Sequence, residues 1–436
     1  MSTRPRFDQA GAVSRQRDSF ERSDAMSDPL VVLYDRGAAT PGQLGVGLAD
    51  LGPLVFAVPD TEHTRQVRPV LARLGEVVDL SGDDAADLAA VRALRPRGVV
   101  TYTEQLLPVA ATITEAMGLP GHDRATAHRL TDKFLQRERL RSAGVDPARS
   151  VLVTEITQWD DAIDRVGLPA IVKPARGQAS RSTFPITDPV SAARARAAIR
   201  GQGRWVVEEM LVGRDYVSVE SLSGPWGTRP IAVTGKLPLL PPFRETGQFW
   251  PSTLDPGAEE RIAEVATASV DALGVTAGIT HTEIKLTETG PRVIEVNGRL
   301  GGHIAELAAR SIGVDLVRVA ALSALGRAEP PTLLRPDRVF FQHNAQAPAG
   351  AVEFVGVRGA AEVRRLPGIS GYRPYVRPGH RLGRGEMTYP LDLLSGDAVG
   401  HDEMVDIISA ALKRLEFEFL DESGRPFHAR MDTFGE

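Results

Sequence analysis

Cysteine is absent from this chain of 436 residues. Its absence excludes a disulfide scaffold, a nucleophilic thiolate and a zinc site built from thiolate ligands. A reducing compartment suits a chain without cysteine, and we therefore expect a cytoplasmic protein.

A strong net charge is also lacking, because 51 Lys and Arg residues face 56 Asp and Glu residues, a formal charge of −5. Neither nucleic acid nor an anionic membrane is therefore expected as the main partner, and a small-molecule substrate fits better. The first 27 residues carry charges of both signs and no long apolar run. We expect residues 1–27 to be a disordered leader rather than a signal peptide or a membrane span.

Four short apolar runs begin the globular part of the chain, and a helical stretch follows each of them between Leu30 and Met117. This alternation predicts an amino-terminal α/β domain, residues 28–122, with a parallel sheet covered on both faces. The glycines of its first loop lack the spacing of a dinucleotide-binding fingerprint. One helix is predicted next, from Ala125 to Gly144, because glycine commonly ends a helix.

The stretch IVKPARGQASRST places Lys173 at the end of a β-branched run, and a loop with Gly177, Ser180 and Ser182 follows. Such a loop can direct an ammonium group and backbone N–H groups at phosphate oxygens. The spacing of a P-loop is absent, and a surface hairpin with a solvated lysine would give the same pattern.

A second stretch, WVVEEMLVGRDY, runs from an apolar strand into Glu208 and Glu209. Its extended backbone could hydrogen-bond the edge of a purine, with Leu211 over the face of the base and Asp215 accepting from ribose hydroxyls. An amphipathic turn with solvent-facing acids is the alternative.

A third stretch, HTEIKLTETGPRVIEVNGRLGGH, begins at His281 and has polar side chains where buried strands usually carry Val or Ile. Side chains of a strand alternate between faces, so His281 shares a face with Glu283 and Lys285, and Glu295 shares one with Asn297 and Arg299. Two carboxylates and an amide are hard oxygen ligands that suit Mg²⁺, which also keeps water and bridges phosphates. A pair of edge strands with solvent-facing charge is the alternative.

Taken together, the three stretches resemble the ATP-grasp superfamily, and specifically its carboxylate–amine ligases, including the L-amino acid (dipeptide) ligases. The resemblance covers about residues 30–420, is strongest from Lys133 to Gly302, and rests on IVKP, VEEMLVG, HTEIKLT and IEVNGRLGG. It implies a mixed α/β and α+β fold. The implied parts are the amino-terminal parallel α/β domain, a central ATP-grasp domain at 123–328 with a nucleotide lid at about 150–206, and a small carboxy-terminal α+β domain at 329–436.

The resemblance also implies roles for single residues in binding ATP and its metal. Lys133 and Lys173 match the two lysines that contact the phosphates. Glu283 and Glu295 match the carboxylates that bind Mg²⁺, or Mn²⁺ in its place, with Asn297 as third ligand. Adenine and ribose contacts are matched by Glu208, Glu209, Leu211 and Asp215.

The implied catalytic residues are Arg299, at the reacting phosphoryl group, and Lys236, a further phosphate contact. The residues expected to face the substrate are Glu245, Gln248, His281, Gly301 and His303. Two positions depart from the family. Arg181 stands where the mobile glycine loop more often has glycine, and Gln248 stands where similar ligases often carry His, so substrate choice transfers least well.

The implied function is ATP-dependent formation of an amide or peptide bond through an acyl phosphate, from a small carboxylate, such as an amino acid, and an amine. Another ATP-grasp outcome, carboxylation or phosphate transfer to a hydroxyl, is the alternative enzyme. A nucleotide-binding module without activity is the alternative from another class. Homodimers are common among related enzymes, which makes a homodimer one expectation for this chain.

Overall fold

The structure, a computed structural model, describes residues 28–178, 180–199, 203–213, 215–382 and 390–431. The expected leader, residues 1–27, lies outside these ranges. The chain forms two compact units: one extends to Arg124 and includes Val317–Ala328, and the other comprises Ala125–Leu316 and the chain from Glu329 onward. Within the described ranges, no helix is both long enough and apolar enough to cross a membrane.

The first unit contains a four-stranded parallel sheet, as the alternation of apolar runs and helices predicted. The strand order is β3-β2-β1-β4, formed by β1 (Leu30–Leu33), β2 (Leu54–Val58), β3 (Glu76–Asp79) and β4 (Gly98–Thr101). The helices are α1 (Pro41–Gly47), α2 (Glu62–Leu71), α3 (Asp84–Ala93) and α4 (Leu107–Met117), with a 3₁₀ turn at Glu104–Leu106. All residues of β1 and β2 are buried, which explains their unbroken apolar runs.

The second unit begins with a helical pair and a small antiparallel sheet. The pair is α5 (Arg124–Thr131) and α6 (Lys133–Ser142). The sheet has the order β5-β8-β6-β7, from β5 (Ser150–Val153), β6 (Ala170–Pro174), β7 (Phe184–Ile186) and β8 (Trp205–Glu209). Its apolar face packs against α7 (Trp159–Val166) and α8 (Pro189–Ala198), with a 3₁₀ turn at Ile156–Gln158.

The predicted single helix from Ala125 to Gly144 is wrong, because the chain is extended at Asp132 (φ −117°, ψ 108°). The Asp132 carboxylate accepts hydrogen bonds from the backbone N–H groups of Phe134 and Leu135, which caps α6. Lys133 is consequently the first residue of a helix, and its backbone N–H donates to the carbonyl of Ala175 (2.8 Å). The helix break therefore determines where one of the expected phosphate ligands stands.

An eight-stranded sheet forms the centre of the second unit. Its order is β13-β12-β9-β10-β11-β14-β18-β16, from β9 (Tyr216–Gly224), β10 (Gly227–Lys236), β11 (Gly247–Trp250), β12 (Gly278–Thr287), β13 (Gly290–Asn297), β14 (Val339–His343), β16 (Ile369–Pro374) and β18 (Asp392–Ala398). One face packs against α9 (Pro256–Leu273) through a cluster of valine and isoleucine side chains. The polar residues of the third sequence stretch lie on β12 and β13, at one end of this sheet.

The described part of the predicted carboxy-terminal α+β domain, residues 329–382 and 390–431, contributes strands to the central sheet. Their strands β14, β16 and β18 extend it, starting from antiparallel pairing of β11 with β14. A third sheet, of order β17-β15-β19-β20, adds β15 (Glu353–Arg358), β17 (His380–Arg381), β19 (Glu416–Leu420) and β20 (Pro426–Ala429). The helices that follow β13 along the chain are α10 (Ile304–Ser311), α11 (Leu316–Ala324), α12 (Ala360–Val363) and α13 (His401–Leu412). One apolar core spans Leu237, Phe249 and Phe417.

Replacing the capping side chain tests the observed helix break. We expect Asp132→Ala to lower the free energy of unfolding by about 0.5–2 kcal/mol, because two N–H groups at the start of α6 lose their acceptor. Asp132→Ser, which keeps a capping oxygen, should recover most of this loss in urea denaturation. Equal losses in the two variants would show that capping is not the source of the stabilisation.

Candidate active site

Two carboxylates meet because of the register between β12 and β13. Glu283 is the direct cross-strand partner of Glu295, and His281 is the partner of Asn297. The pairing shifts by one residue directly after Glu283, where Ile294 on β13 has no partner. This bulge brings all four polar side chains to the same end of the hairpin, so the face alternation inferred from the sequence becomes a cluster.

Cations neutralise the two carboxylates. Lys133 Nζ lies 2.8 Å from Glu295, and it also donates to the carbonyl of Gly177 (2.6 Å). Burial acts to raise the pKa of Glu295, but the charges of Lys133 and Lys173 outweigh it and lower the pKa. For Glu283, burial is likewise outweighed by His281, and the pKa is lowered. Both carboxylates are thus ionised near neutral pH.

The charge on His281 comes from a fully buried partner, Glu220, which the sequence analysis had not selected. The His281 Nδ1 atom lies 2.5 Å from the Glu220 carboxylate, and its Nε2 lies 3.6 Å from Glu283. Burial acts to lower the pKa of His281, but Glu220 raises it to about 9. Glu220 alternates with apolar residues in VSVESL, so strand periodicity could have indicated that it faces His281.

The pair Glu283 and Glu295, with the amide of Asn297, is the set we predicted for a metal. The described residues contain no group of three or more His, Cys, Asp or Glu side chains arranged to hold an ion. Two ionised carboxylates at one wall of the cavity, with side chains 26% and 19% exposed, nevertheless fit Mg²⁺, which keeps water and substrate oxygens as its other ligands.

The alternation along the third stretch predicted Arg299 on strand β13. It lies beside these residues, but beyond the end of the strand. Strand β13 ends at Asn297, and the chain bends before Arg299. The guanidinium group donates to Asn297 Oδ1 (3.3 Å) and to the carbonyl of Leu300 (2.8 Å). It lines the same cavity as Glu283 and Glu295, so the loop brings it to the expected place by another route.

A cavity of about 560 Å³ joins these polar groups to an apolar region. Lys173 and the loop after β6 form part of its wall, as do Ile171, Met210, Leu211 and Ile294. In that loop Ser180 and Ser182 have positive φ angles of 51° and 52°, and the residues that face the cavity are Gly177, Gln178, Ser180, Arg181 and Thr183. The surface-hairpin alternative for Lys173 is therefore not what the structure has, since this side chain is buried.

Glu208 lines the cavity, but its carboxylate is engaged by two cations. Its buried carboxylate lies between Lys173 Nζ (2.5 Å) and Arg137 Nε (3.0 Å), and it serves as their counter-ion. Burial acts to raise the pKa of Glu208, but these two cations lower it to about 2. Arg137 was missed in the sequence, although it follows Lys133 by four residues and so shares its helix face.

The other three residues that were matched to adenine and ribose contacts, Glu209, Leu211 and Asp215, differ in position. Leu211 lines the cavity, and so does Glu209, whose carboxylate lies 3.5 Å from Arg149. Asp215 is exposed and is not part of the cavity wall. Strand β8 ends at Glu209, and the backbone N–H of Met210 donates to the carbonyl of Pro169 (3.1 Å).

At the opposite end of the cavity, Lys236 and Glu245 lie 3.4 Å apart, and Tyr216 donates to Glu245 (3.2 Å). Gln248 does not face the cavity, contrary to our expectation. Its amide is used internally: it accepts from Lys236 (3.2 Å) and donates to the carbonyl of Gly302 (3.1 Å) and to Gln342 (3.2 Å).

Two further predicted substrate residues come from the turn after β13. His303 lines the cavity. Gly301 lies behind it against the His281 ring, where a Cβ atom would come within 2.4 Å of Nδ1. Gly301 is thus required for close packing of the imidazole rather than for contact with a ligand.

The ATP-grasp domain family (ATP-grasp_3) matches residues 130–303. The central part of the chain is therefore similar to ATP-grasp domains. Alanine–anticapsin ligase of Bacillus subtilis (strain 168) is 27% identical over 266 residues, which are 55% of this chain and 53% of that protein. A second alanine–anticapsin ligase from Bacillus subtilis is 25% identical over 342 residues, 69% of this chain and 70% of that one.

The fold is similar to that of a solved structure, the L-amino acid ligase from Bacillus licheniformis. It superposes with a TM-score of 0.77 at 20% identity, covering 91% of this chain and 100% of that one. The resemblance stated from the sequence is confirmed, and so is the mixed α/β and α+β fold class. The alignment with the first curated relative spans about half of that protein's length.

Removing the counter-ion of the buried lysine and arginine should destabilise the ATP-grasp domain. We expect Glu208→Gln to lower the free energy of unfolding by about 3–5 kcal/mol, because it removes the carboxylate that the buried Lys173 and Arg137 share. Glu209→Gln, next to it but half-buried, should cost much less in the same denaturation experiment.

Wild type and Glu208→Gln should also differ in how their free energy of unfolding depends on pH. The folded pKa of Glu208 is depressed from an ordinary 4.5 to about 2, so its stabilisation is fully present above pH 4.5 and is lost as pH falls towards 2. The stability difference between wild type and Glu208→Gln should therefore shrink on acidification. A difference that stays constant down to pH 2 would contradict the assignment.

Proposed function

We propose that this protein is an ATP-dependent carboxylate–amine ligase that forms an amide or peptide bond through an acyl-phosphate intermediate. The observation that carries the proposal is the presence in one cavity of Glu283, Glu295, Lys133, Lys173 and Arg299. They are charges suited to a nucleoside triphosphate. The names of the curated relatives, both ligases, support the same reaction type.

The nucleotide occupies the apolar part of the cavity with its phosphates directed at the lysines. Ile171, Met210 and Leu211 cover the base, and the backbone around Met210 offers hydrogen bonds to its edge. Lys133 and Lys173 bind the phosphates, and Glu208 keeps Lys173 in place. Asp215 is exposed and does not line the cavity, so the proposal does not use it as the ribose contact.

Glu283, Glu295 and Asn297 would hold Mg²⁺ in this arrangement. Bound there, the ion would neutralise phosphate charge. Lys133 Nζ lies 2.8 Å from Glu295, so the ammonium charge balances this carboxylate.

The chemistry has two steps, and the protein supplies positions and charges for both. An oxygen of the substrate carboxylate attacks the γ-phosphorus and ADP leaves, which gives an acyl phosphate. The nitrogen of an amine then attacks the acyl carbon, and phosphate leaves with the electrons of the C–O bond. Arg299 holds the transferring phosphoryl oxygens with its fork of donors. Neither step needs a protein nucleophile, which agrees with a chain without cysteine.

The carboxylate substrate lies at the end of the cavity that contains Glu245 and Lys236, and we propose an amino acid there. The Glu245 carboxylate would pair with the α-ammonium group, and Tyr216 fixes its position by a hydrogen bond. Gln248 acts indirectly, because its amide holds both Lys236 and the backbone at Gly302.

Purified protein incubated with ATP, Mg²⁺ and pools of amino acids and small acids tests the proposed function. Mass spectrometry should detect ADP together with a product that is one water lighter than the sum of two substrates. Turnover that requires bicarbonate would instead identify a carboxylase, and a stable phosphorylated product would identify a phosphotransferase. Absence of metal-dependent ATP turnover with every pool would leave a nucleotide-binding module.

Neutralising one of the two paired carboxylates should stop turnover. We expect Glu295→Gln to reduce ADP formation by at least about a hundredfold, because it removes one of the two negative charges that would hold Mg²⁺ at the phosphates. Glu288→Gln, an exposed position in the turn of the same hairpin, is the control and should be unaffected. A normal rate for Glu295→Gln at saturating Mg²⁺ would exclude Glu295 as a metal ligand.

Replacing the guanidinium group tests its part in phosphoryl transfer. We expect Arg299→Lys to lower kcat by about ten- to a thousandfold while the Kd for ATP changes much less, since the fork acts mainly on the transition state. Arg292→Lys is the matched control, because Arg292 pairs with the buried Asp146 outside the cavity. It should lower thermal stability and leave kcat unchanged. If Arg299→Lys lowered thermal stability and left kcat unchanged, Arg299 would be a structural residue.

A further inference from the structure

His303 has a geometry that the proposed two-step reaction does not yet use. Its backbone is in the left-handed region (φ 62°), which a non-glycine residue rarely adopts, and its side chain lines the cavity. The ring stacks on Tyr375, with centroids 5.5 Å apart and planes inclined by 16°. A hydrogen bond of 3.1 Å joins His303 Nδ1 to the Tyr375 hydroxyl. Strained residues of this kind concentrate at functional sites.

The surroundings of His303 keep its imidazole uncharged. Burial lowers its pKa to about 4, while the charge of Glu245 acts in the opposite direction and those of Arg373 and Lys236 act in the same one. Other ionisable groups on neighbouring elements are Glu306, 3.6 Å from Arg373, and Tyr375 itself. A neutral imidazole can accept a proton. An acyl phosphate bound close to it would add negative charge, which favours the protonated ring.

The amine-dependent half of the reaction requires such an acceptor. An amine nitrogen that attacks an acyl carbon becomes positively charged, and an amide forms only after that nitrogen loses a proton. With Nδ1 engaged by Tyr375, His303 has one ring nitrogen, Nε2, left for this purpose. The residues placed at the phosphoryl groups, Lys133, Lys173 and Arg299, are cations and cannot serve.

We propose that His303 is the general base of amide formation and that Tyr375 is the positioning residue that holds its ring. This assignment rests on the proposed ligase function. In the step, the C–N bond forms and the proton of the attacking nitrogen passes to Nε2. The C–O bond of the acyl phosphate breaks, and phosphate leaves with its electron pair. The imidazolium then releases the proton to solvent, which restores the neutral ring.

The contacts of Tyr375 suit the positioning role. Its hydroxyl oxygen accepts a hydrogen bond from Arg373 (3.2 Å), and the Arg373 guanidinium lies 5.2 Å from the ring centre. Arg373 in turn pairs with Glu306 on α10, the helix that begins directly after His303. In the proposed role Nδ1–H donates to the Tyr375 hydroxyl, and this tautomer places the lone pair of His303 on Nε2. Loss of the hydroxyl would free the imidazole to take the other tautomer.

Comparing two nucleophiles separates the half-reactions. Hydroxylamine is largely unprotonated near neutral pH and traps acyl phosphates as hydroxamates without help from a base, whereas an amino-acid amine needs one. In His303→Asn, which keeps a residue that tolerates positive φ, amide formation should fall about a hundredfold. Hydroxamate formation with the same carboxylate should stay within about threefold of wild type. Added imidazole should restore amide formation in His303→Gly.

Two further variants complete the test. Tyr375→Phe should reduce amide formation about fivefold, the order expected for loss of one neutral hydrogen bond, and should spare hydroxamate formation. His63→Asn is the matched control, because His63 also contacts a tyrosine hydroxyl, that of Tyr34 (3.3 Å), and burial lowers its pKa, but it does not line the cavity. It should leave both products unchanged.

The outcomes distinguish the general base from the ligase function itself. If His303→Asn reduces hydroxamate and amide formation equally, and imidazole restores neither in His303→Gly, His303 is not the base, although the ligase function stands. If wild type forms neither product with any carboxylate, the proposed function fails and the base assignment fails with it. Selective loss of the amide, with rescue by imidazole, supports the assignment.

Discussion

The pairing of Glu283 with Glu295 across β12 and β13 is the constraint on which the site depends. Like charges directly opposite each other destabilise a sheet, and both side chains are largely withdrawn from water. Such a pair persists only with cations around it. Lys133 and His281 supply them in the structure, and in the proposed function a metal ion and the γ-phosphate are bound at the same place.

Neighbouring parts of the fold follow from this need for charge balance. Lys133 reaches Glu295 because the chain breaks at Asp132 and starts a new helix there. His281 carries its charge because Glu220 lies directly opposite on β9. A second buried cluster, Arg137 with Glu208 and Lys173, repeats the principle at the phosphate end. The site is therefore a set of buried charges that compensate one another.

Local sequence patterns predicted much of this arrangement. Alternation along HTEIKLT and VIEVNG placed the acids and the amide on common faces, and the apolar runs of the first unit gave its parallel sheet. What they could not predict was the consequence of long-range pairing. The register shift at Ile294, the ion pairs that occupy Glu208, and the internal hydrogen bonds that turn Gln248 away from the cavity all depend on residues distant in sequence. The helix break at Asp132 was the exception, since a capping aspartate is a local signal that the apolar spacing hid.

Transfer of a substrate oxygen into phosphate tests the central claim, ligation through an acyl phosphate, most directly. The carboxylate substrate found in the screen would be labelled with heavy oxygen, and the inorganic phosphate formed with unlabelled ATP and water would be analysed by mass spectrometry. Attack of the amine on an acyl phosphate breaks the bond between carbon and oxygen, so the predicted result is one labelled oxygen in each phosphate released with amide. Unlabelled phosphate formed together with the amide product would contradict an acyl-phosphate intermediate.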